Sequence, residues 1–235
     1  MTPATHSRSP AAARSVAGEA SRDKILEVSE ALFARSGFAG VGMREVARDV
    51  GLSKSALFHH FATKQELYSE VLGRVLSRLH GRAEPALRSD ADPADALDAA
   101  VDALIDFLAE DPATPRLAMR AVFDDDPYVG AGLEEREPEP FEIVLLELIG
   151  GFRTLIERGI ECGRFRPVSV PDTIQTLIGM TVYHFASGQF GEALVGESLF
   201  STAAVRRRKL EVKTFLRRAV LHEPGAVDLP DPKTG

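Results

Sequence analysis

A chain of 235 residues with 44% hydrophobic content has enough apolar mass for one large core or two modest ones. Its uninterrupted apolar runs fall short of the ~18 residues that a membrane helix requires, and a single cysteine, Cys162, excludes an internal disulfide. The net charge of −7 argues against a uniformly basic nucleic-acid binder, but it is unevenly spread. Residues 1–67 carry 9 Lys+Arg against 7 Asp+Glu, while residues 68–235 carry 19 against 28. A mildly basic front joined to an acidic body fits a DNA-contacting module attached to something else. The setting expected is the cytoplasm.

Residues 1–20 are rich in Ala, Ser, Pro and Arg, lack the apolar centre of a secretory signal, and read as a disordered tail. From Ser21 the pattern is helical. Ile25, Leu26, Val28, Leu32 and Phe33 form an apolar face over residues 22–36, and Gly37 ends it. Residues 43–50 make a short helix with Val46, Ala47 and Val50 on one side. Gly51 breaks it, and Ser53 caps a third helix over 54–61. Thr63 and Glu66 have the spacing of a capping box, which opens a long helix carrying Leu67, Val71, Val75 and Leu79.

Pro93 begins a helix to Glu110, with Leu97, Val101, Leu104 and Leu108 inward and Asp98, Asp102 and Asp106 on the opposite side. Thr114-Pro115 opens a short helix to Phe123. Residues 124–139 are acidic and Pro/Gly-rich, as in a loop; Asp124-Asp125-Asp126 lacks the spacing of a calcium loop. Helices are then expected over 140–162, 171–190 and 203–221, followed by a frayed tail from 223. The basic run Arg206-Arg207-Arg208-Lys209 reads as a solvated face ion-paired to the acidic body. The fold class is all-α. Its domains are 21–67, a helix-turn-helix, and 68–222, a helical effector-binding and dimerisation body.

Residues 22–61 give helix, short helix, turn and helix, the order in which the last helix enters a major groove. Ala47 permits a close helix crossing, and Gly51 can take a positive φ in the turn. Val46, Val50, Leu52, Leu57 and Phe61 point inward against Leu32 and Phe33. Lys54, Ser55, Phe58 and His59 are left for the groove. The adjacent histidines His59 and His60 point to different sides of a helix and do not form a metal pair. Nucleophile triads, phosphate loops and metal-ligand spacings are not found, so no enzyme, cofactor or metal is expected.

Several strings resemble the tetracycline-repressor family of bacterial regulators. They are Ile25-Leu26-Glu27-Val28-Ser29-Glu30-Ala31-Leu32-Phe33, Gly37-Phe38, the block from Met43-Arg44-Glu45-Val46-Ala47 through Gly51-Leu52-Ser53-Lys54-Ser55-Ala56-Leu57-Phe58-His59-His60-Phe61, and Lys64-Gln65-Glu66-Leu67. The resemblance implies a DNA-binding head and a helical body whose last two long helices, about 171–190 and 203–221, form a homodimer interface. It implies that Arg44, Lys54, Ser55, His59 and His60 meet DNA and that Lys64, at a helix N-terminus, clamps phosphate. Phe58 can pack on a thymine methyl. Gly42 stands where the family commonly has a capping Thr, and Ala56 and Phe58 stand where Thr and Tyr are common.

In the body, Phe107, Met119, Phe123, Phe141, Leu145, Phe152, Ile156 and Met180 lie on helices that in this family surround a ligand cavity. They suit a mainly apolar or aromatic small molecule, with Arg153, Thr181, Tyr183 and His184 as candidate polar anchors, Tyr183 and His184 being equally candidates for the dimer interface. The expected protein is a ligand-responsive repressor that releases a pseudo-palindromic operator. The competing expectation is a dimeric interaction protein that no longer binds DNA.

Overall fold

A computed structural model describes the backbone of residues 10–123 and 137–221, and side chains over 21–119 and 137–221. The described residues form eleven α-helices and one π-helical turn; the extended pairing among them is a single bridge between Phe165 and Leu221. The fold is all-α, as its sequence pattern predicts.

Helix α1 spans Pro10–Gly40, with its regular geometry broken at Gly37 (φ 70°, ψ 174°), the glycine expected to end it. Its start differs from expectation, because residues 10–20 are helical rather than a disordered tail. Pro10 sits at the first position, and Ala11, Ala12, Ala13, Ala17 and Ala20 favour helix strongly enough to continue it forward. Helices α2 (Met43–Val50), α3 (Lys54–His60) and α4 (Lys64–Leu87) follow. Gly51 takes φ 81° between α2 and α3, where Leu52 N–H donates to the Ala47 carbonyl at 2.8 Å. The Ser53 hydroxyl accepts from Ala56 N–H at 3.2 Å, and the Thr63 hydroxyl from Glu66 N–H at 3.0 Å. These caps satisfy backbone donors that each helix start leaves free.

Helix α4 belongs to both halves of the molecule. Leu67 and Tyr68 are buried with Phe33 in the head, whereas Val75, Leu79, Ala83 and Leu87 are buried further along the body. Against α4 pack α5 (Pro93–Glu110) and α7 (Pro140–Glu161), while α6 (Ala113–Phe123) lies against α1. The N-terminus of α7 is fixed by a reciprocal cap in which Glu139 N–H donates to Glu142 at 2.7 Å. The Ser69 hydroxyl of α4 donates to the Glu139 carboxylate at 3.1 Å. Residues 124–136, including the triple aspartate, lie outside the described residues.

The expected continuous helix over 171–190 is instead segmented. Helix α8 (Val170–Ile178) passes through a π-helical turn, Gly179–Tyr183, into α9 (His184–Ala186) and then α10 (Gly188–Val195). Thr181 Oγ1 donates back to the Leu177 carbonyl at 2.8 Å, and Gly188 adopts φ 55°. Side-chain competition for a helix carbonyl and a left-handed glycine together break the regular ladder. Gly196 (φ 83°) closes α10, beyond the expected end.

Helix α11 (Thr202–Val220) lies along α5, against the side that carries Asp98, Asp102 and Asp106. Lys209 pairs with Asp106 at 2.6 Å, Lys213 with Asp102 at 2.8 Å, and Arg217 with Asp98 at 3.0 Å and Asp95 at 3.1 Å. Residues at near-four spacing on two helices thus form a ladder. In the basic run, Lys209 joins this ladder and Arg207 pairs with Glu197, as expected of a face paired to the acidic body. Arg208 differs; it is half-buried and donates to the Met180 carbonyl in the π-helical turn.

Candidate nucleic-acid interface

The head is held together by a small, fully buried core. Phe33, Val46, Leu57 and Phe61 are completely inaccessible, with Leu32, Ala47 and Val50 nearly so. Leu52 is only partly buried at its edge. Phe33 and Tyr68 meet edge to face at 4.9 Å, and Phe38 tilts against Tyr68 at 5.1 Å. Aromatic packing of this kind adds rigidity to a core too small to rely on area alone. The guanidinium of Arg22 lies 4.7 Å above the Phe61 ring and pairs with Glu70 of α4 at 3.0 Å, which raises its pKa through that hydrogen bond.

The outer side of α2 and α3 is polar and open. Arg44, Lys54, Ser55, Phe58 and His59 are exposed, and His60 is half-buried. Ser55 Oγ lies 3.1 Å from Ser53 Oγ, and the Lys54 ammonium rests 5.3 Å from the Phe58 ring centre. His59 and His60 sit edge to face, 6.0 Å apart. No group of three or more potential metal ligands occurs among the described residues. Neighbouring Arg48 is committed to Asp49 at 2.8 Å, and this hydrogen bond raises its pKa. Among the described residues Arg44 and Lys54 have no carboxylate partner. The face therefore offers positive charge that the described part of the protein does not neutralise.

Lys64 has a different environment from the one expected of a phosphate clamp. Its ammonium donates to the Phe38 carbonyl at 2.9 Å and the Val41 carbonyl at 3.2 Å, and lies 4.2 Å from the Phe38 ring centre. Two of its three donors are thereby used to pin the turn between α1 and α2. That turn ends at Gly42, which caps α2 through its backbone alone.

The residues expected around a ligand cavity divide into groups. Phe107, Phe152 and Ile156 are buried in the common core; Phe141 packs against it half-buried. Met119 and Leu145 are also half-buried, whereas Arg153 is exposed. The side chain of Phe123 lies outside the described residues. Met180 and His184 instead line a surface cleft of about 190 Å³ with Tyr183, Phe190, Leu194 and Arg208. Thr181 is buried and bonded to its own helix. Burial pushes the His184 imidazole down to about 4, with the nearby Arg208 and Arg207 charges adding to the effect. Two charged residues to which the sequence reading gives no individual role stand out between α1 and α4, Glu30 and Arg78, paired at 2.6 Å. Their 48-residue separation carries no local sequence signal.

A buried three-helix head, a glycine turn, a capped short helix with an open polar face and a helical body define the class of helix-turn-helix regulatory proteins. Comparison with known families places the chain within it. Residues 25–71 match the model of bacterial regulatory proteins of the tetR family, and residues 93–214, more than half of the chain, match the tetracyclin repressor-like C-terminal domain. The chain belongs to the tetR family. It is 32% identical over 149 residues to the HTH-type transcriptional activator FasR of Mycolicibacterium smegmatis, covering 63% of this chain and 65% of FasR. It is 34% identical over 84 residues to the HTH-type transcriptional repressor KstR2 of Mycobacterium tuberculosis, covering 35% and 42% of the two chains. The chain thus spans less than two thirds of the length of these relatives. Among solved structures, PfmR of Thermus thermophilus superposes with a TM-score of 0.64 at 25% identity, over 87% of this chain and 98% of PfmR.

Proposed function

We propose that the protein is a cytoplasmic, homodimeric, sequence-specific DNA-binding transcription regulator, acting as a repressor that leaves its operator when a mainly apolar or aromatic small molecule binds the helical body. The observation that carries the reading is the open face of α2 and α3. Among the described residues Arg44 and Lys54 stand there without carboxylate partners, while basic residues elsewhere, such as Arg22, Lys209, Lys213 and Arg217, are ion-paired. Unneutralised cations beside exposed Ser55, Phe58 and His59 and half-buried His60 suit phosphate and base-edge contacts in a major groove. A protein released from DNA binding gains nothing by keeping them unpaired. Lys64 supports this face from beneath by pinning the α1–α2 turn.

Dimerisation through the last helices is supported by an apolar surface. Phe190 is 65% exposed, Leu194 78% and Leu210 62%, with Tyr183, Ile178 and Phe215 also exposed. An apolar patch spread over α8 to α11 is the kind of surface that a second copy covers. Two copies then place their α3 helices in successive major grooves, roughly 34–36 Å apart. The relatives act in both senses, FasR being named an activator and KstR2 a repressor.

The test is selection of duplexes from a random DNA pool at about 0.15 M salt, with an Arg44→Ala, Lys54→Ala variant in parallel. Enrichment of an inverted repeat by the native protein and loss of that enrichment in the variant is the expected result. A folded, dimeric native protein that enriches nothing overturns the reading in favour of a helical interaction protein. A Leu194→Asp variant that stays dimeric in sedimentation would overturn the assigned dimer surface.

A further inference from the structure

Among the described residues three ionic contacts tie α1 to α4, and one of them also reaches the body. Arg22 pairs with Glu70 at 3.0 Å, and Arg74 reaches Asp23 at 3.6 Å; both lie at the surface. The third pair has another character. Arg78 Nη2 donates to Glu30 Oε1 at 2.6 Å, and Glu30 is only 8% exposed. The same guanidinium lies 6.0 Å from the ring centre of Phe107, a buried residue of α5. One turn further along α4, Arg82 approaches the same ring at 5.3 Å and is held by Glu110.

We propose that Arg78 is a positioning residue that couples the packing of the Phe107 ring to the placement of α1. A nearly buried carboxylate needs its cation, because an unpaired charge there is costly. The guanidinium is also drawn to the ring face. Arg78 extends from one point on α4 and can satisfy both only while Glu30 and Phe107 keep their present separation. A small molecule that turns or displaces the Phe107 ring changes where Arg78 lies, and Glu30 with α1 must follow or lose its partner. Helix α1 carries Ile25, Leu32 and Phe33, which share a buried core with α2 and α3, and it packs directly on α2. Its displacement therefore reaches the DNA-facing side. This deepens the ligand-responsive reading and rests on it for the consequence at DNA, though not for the coupling itself.

The experiment uses the full chain as native protein, Phe107→Leu, Arg78→Lys and the double variant, each checked for cooperative thermal unfolding. Amide hydrogen exchange is read over residues 22–36, and affinity is read on the selected inverted repeat. Phe107→Leu is expected to change both readouts by about threefold or more in the Arg78 background and to leave them unchanged in the Arg78→Lys background. Glu30→Gln cuts the link from the other end and should abolish the response to Phe107→Leu in the same way. Independent, multiplying effects of the two substitutions would overturn the proposal. So would exchange that rises in α5 and α7 as much as in α1, whether or not Arg78 is present, since that is general loosening of the core. If the native protein selects no DNA, the regulator reading fails, while the exchange measurements still decide the coupling.

Discussion

Replacing Lys64 by methionine separates two roles that the same position could have. The native ammonium donates to the carbonyls of Phe38 and Val41 and sits on the Phe38 ring. The Phe38 carbonyl keeps a second donor, Val41 N–H at 3.4 Å, whereas the Val41 carbonyl relies on Lys64 among the described residues. A charge-assisted hydrogen bond contributes ~1.5–3 kcal/mol and a partly exposed cation–π contact ~0.5–1 kcal/mol. Discounting for the half-exposed site, Lys64→Met should cost about 2 kcal/mol. For a chain of this size that lowers Tm by about 4–8 °C. Urea unfolding at fixed protein concentration measures the loss, and operator titrations at several salt concentrations measure the other role. Each phosphate contact contributes ~0.9 to the slope of log affinity against log salt, so a homodimer losing one per protomer would flatten by ~1.8. The expected result is reduced stability with an unchanged slope. Stability within ~0.5 kcal/mol of native, together with a slope reduced by ~1.8, would refute the reasoning and return Lys64 to the phosphates.

Three further outcomes concern the body. Replacing Asp98, Asp102 and Asp106 together by asparagine should destabilise the chain by ~1–2 kcal/mol, given that partly exposed pairs contribute ~0.2–1 kcal/mol each. The difference from native should shrink in ~1 M salt, and a difference that salt leaves unchanged would show that the ladder acts by packing. Because His184 titrates at about 4 in the fold against 6.5 when free, the unfolded chain binds the extra proton between those values. For this group, stability should therefore be unaffected above pH 6.5, fall as the pH drops from 6.5 to about 4, and level off below. His184→Gln should remove on the order of 1 kcal/mol of that fall after discounting for its partial exposure, as read by denaturant midpoints across the pH range. Gly159→Ala should lower the thermal midpoint despite alanine's better helix propensity. An added Cβ would run into the Phe165 ring, which must then move from its buried site. A midpoint at or above native would contradict the packing at this crossing.

Much of the head is legible in the chain because its decisive interactions are local. Gly37, Gly51, Ser53 and Thr63 set helix ends through backbone angles and hydrogen bonds that span a few residues. The apolar spacing of Ile25, Leu32, Val46, Val50, Leu57 and Phe61 dictates which faces meet. Exposure of Arg44, Lys54 and Ser55 follows from the same periodicity, since residues opposite a buried stripe have nowhere else to point. The alanines at the start of α1 carry a helix signal too, though the Ser, Pro and Arg around them mask it.

Where the long charged side chains end is a matter of three-dimensional packing. Lys64 turns to two carbonyls more than twenty residues away, Arg78 to Glu30, and the aspartates of α5 to α11. Such side chains have several reachable partners, and only the arrangement of distant helices selects among them. The same arrangement separates Phe107, Phe152 and Ile156 in the core from Met180 and His184 in a surface cleft, residues that the family resemblance groups together. Helices, caps and the polar face offered to DNA are thus encoded locally, because they depend on neighbours along the chain. Which charges are spent inside the protein and which remain for a partner is fixed only on folding, because that depends on neighbours in space.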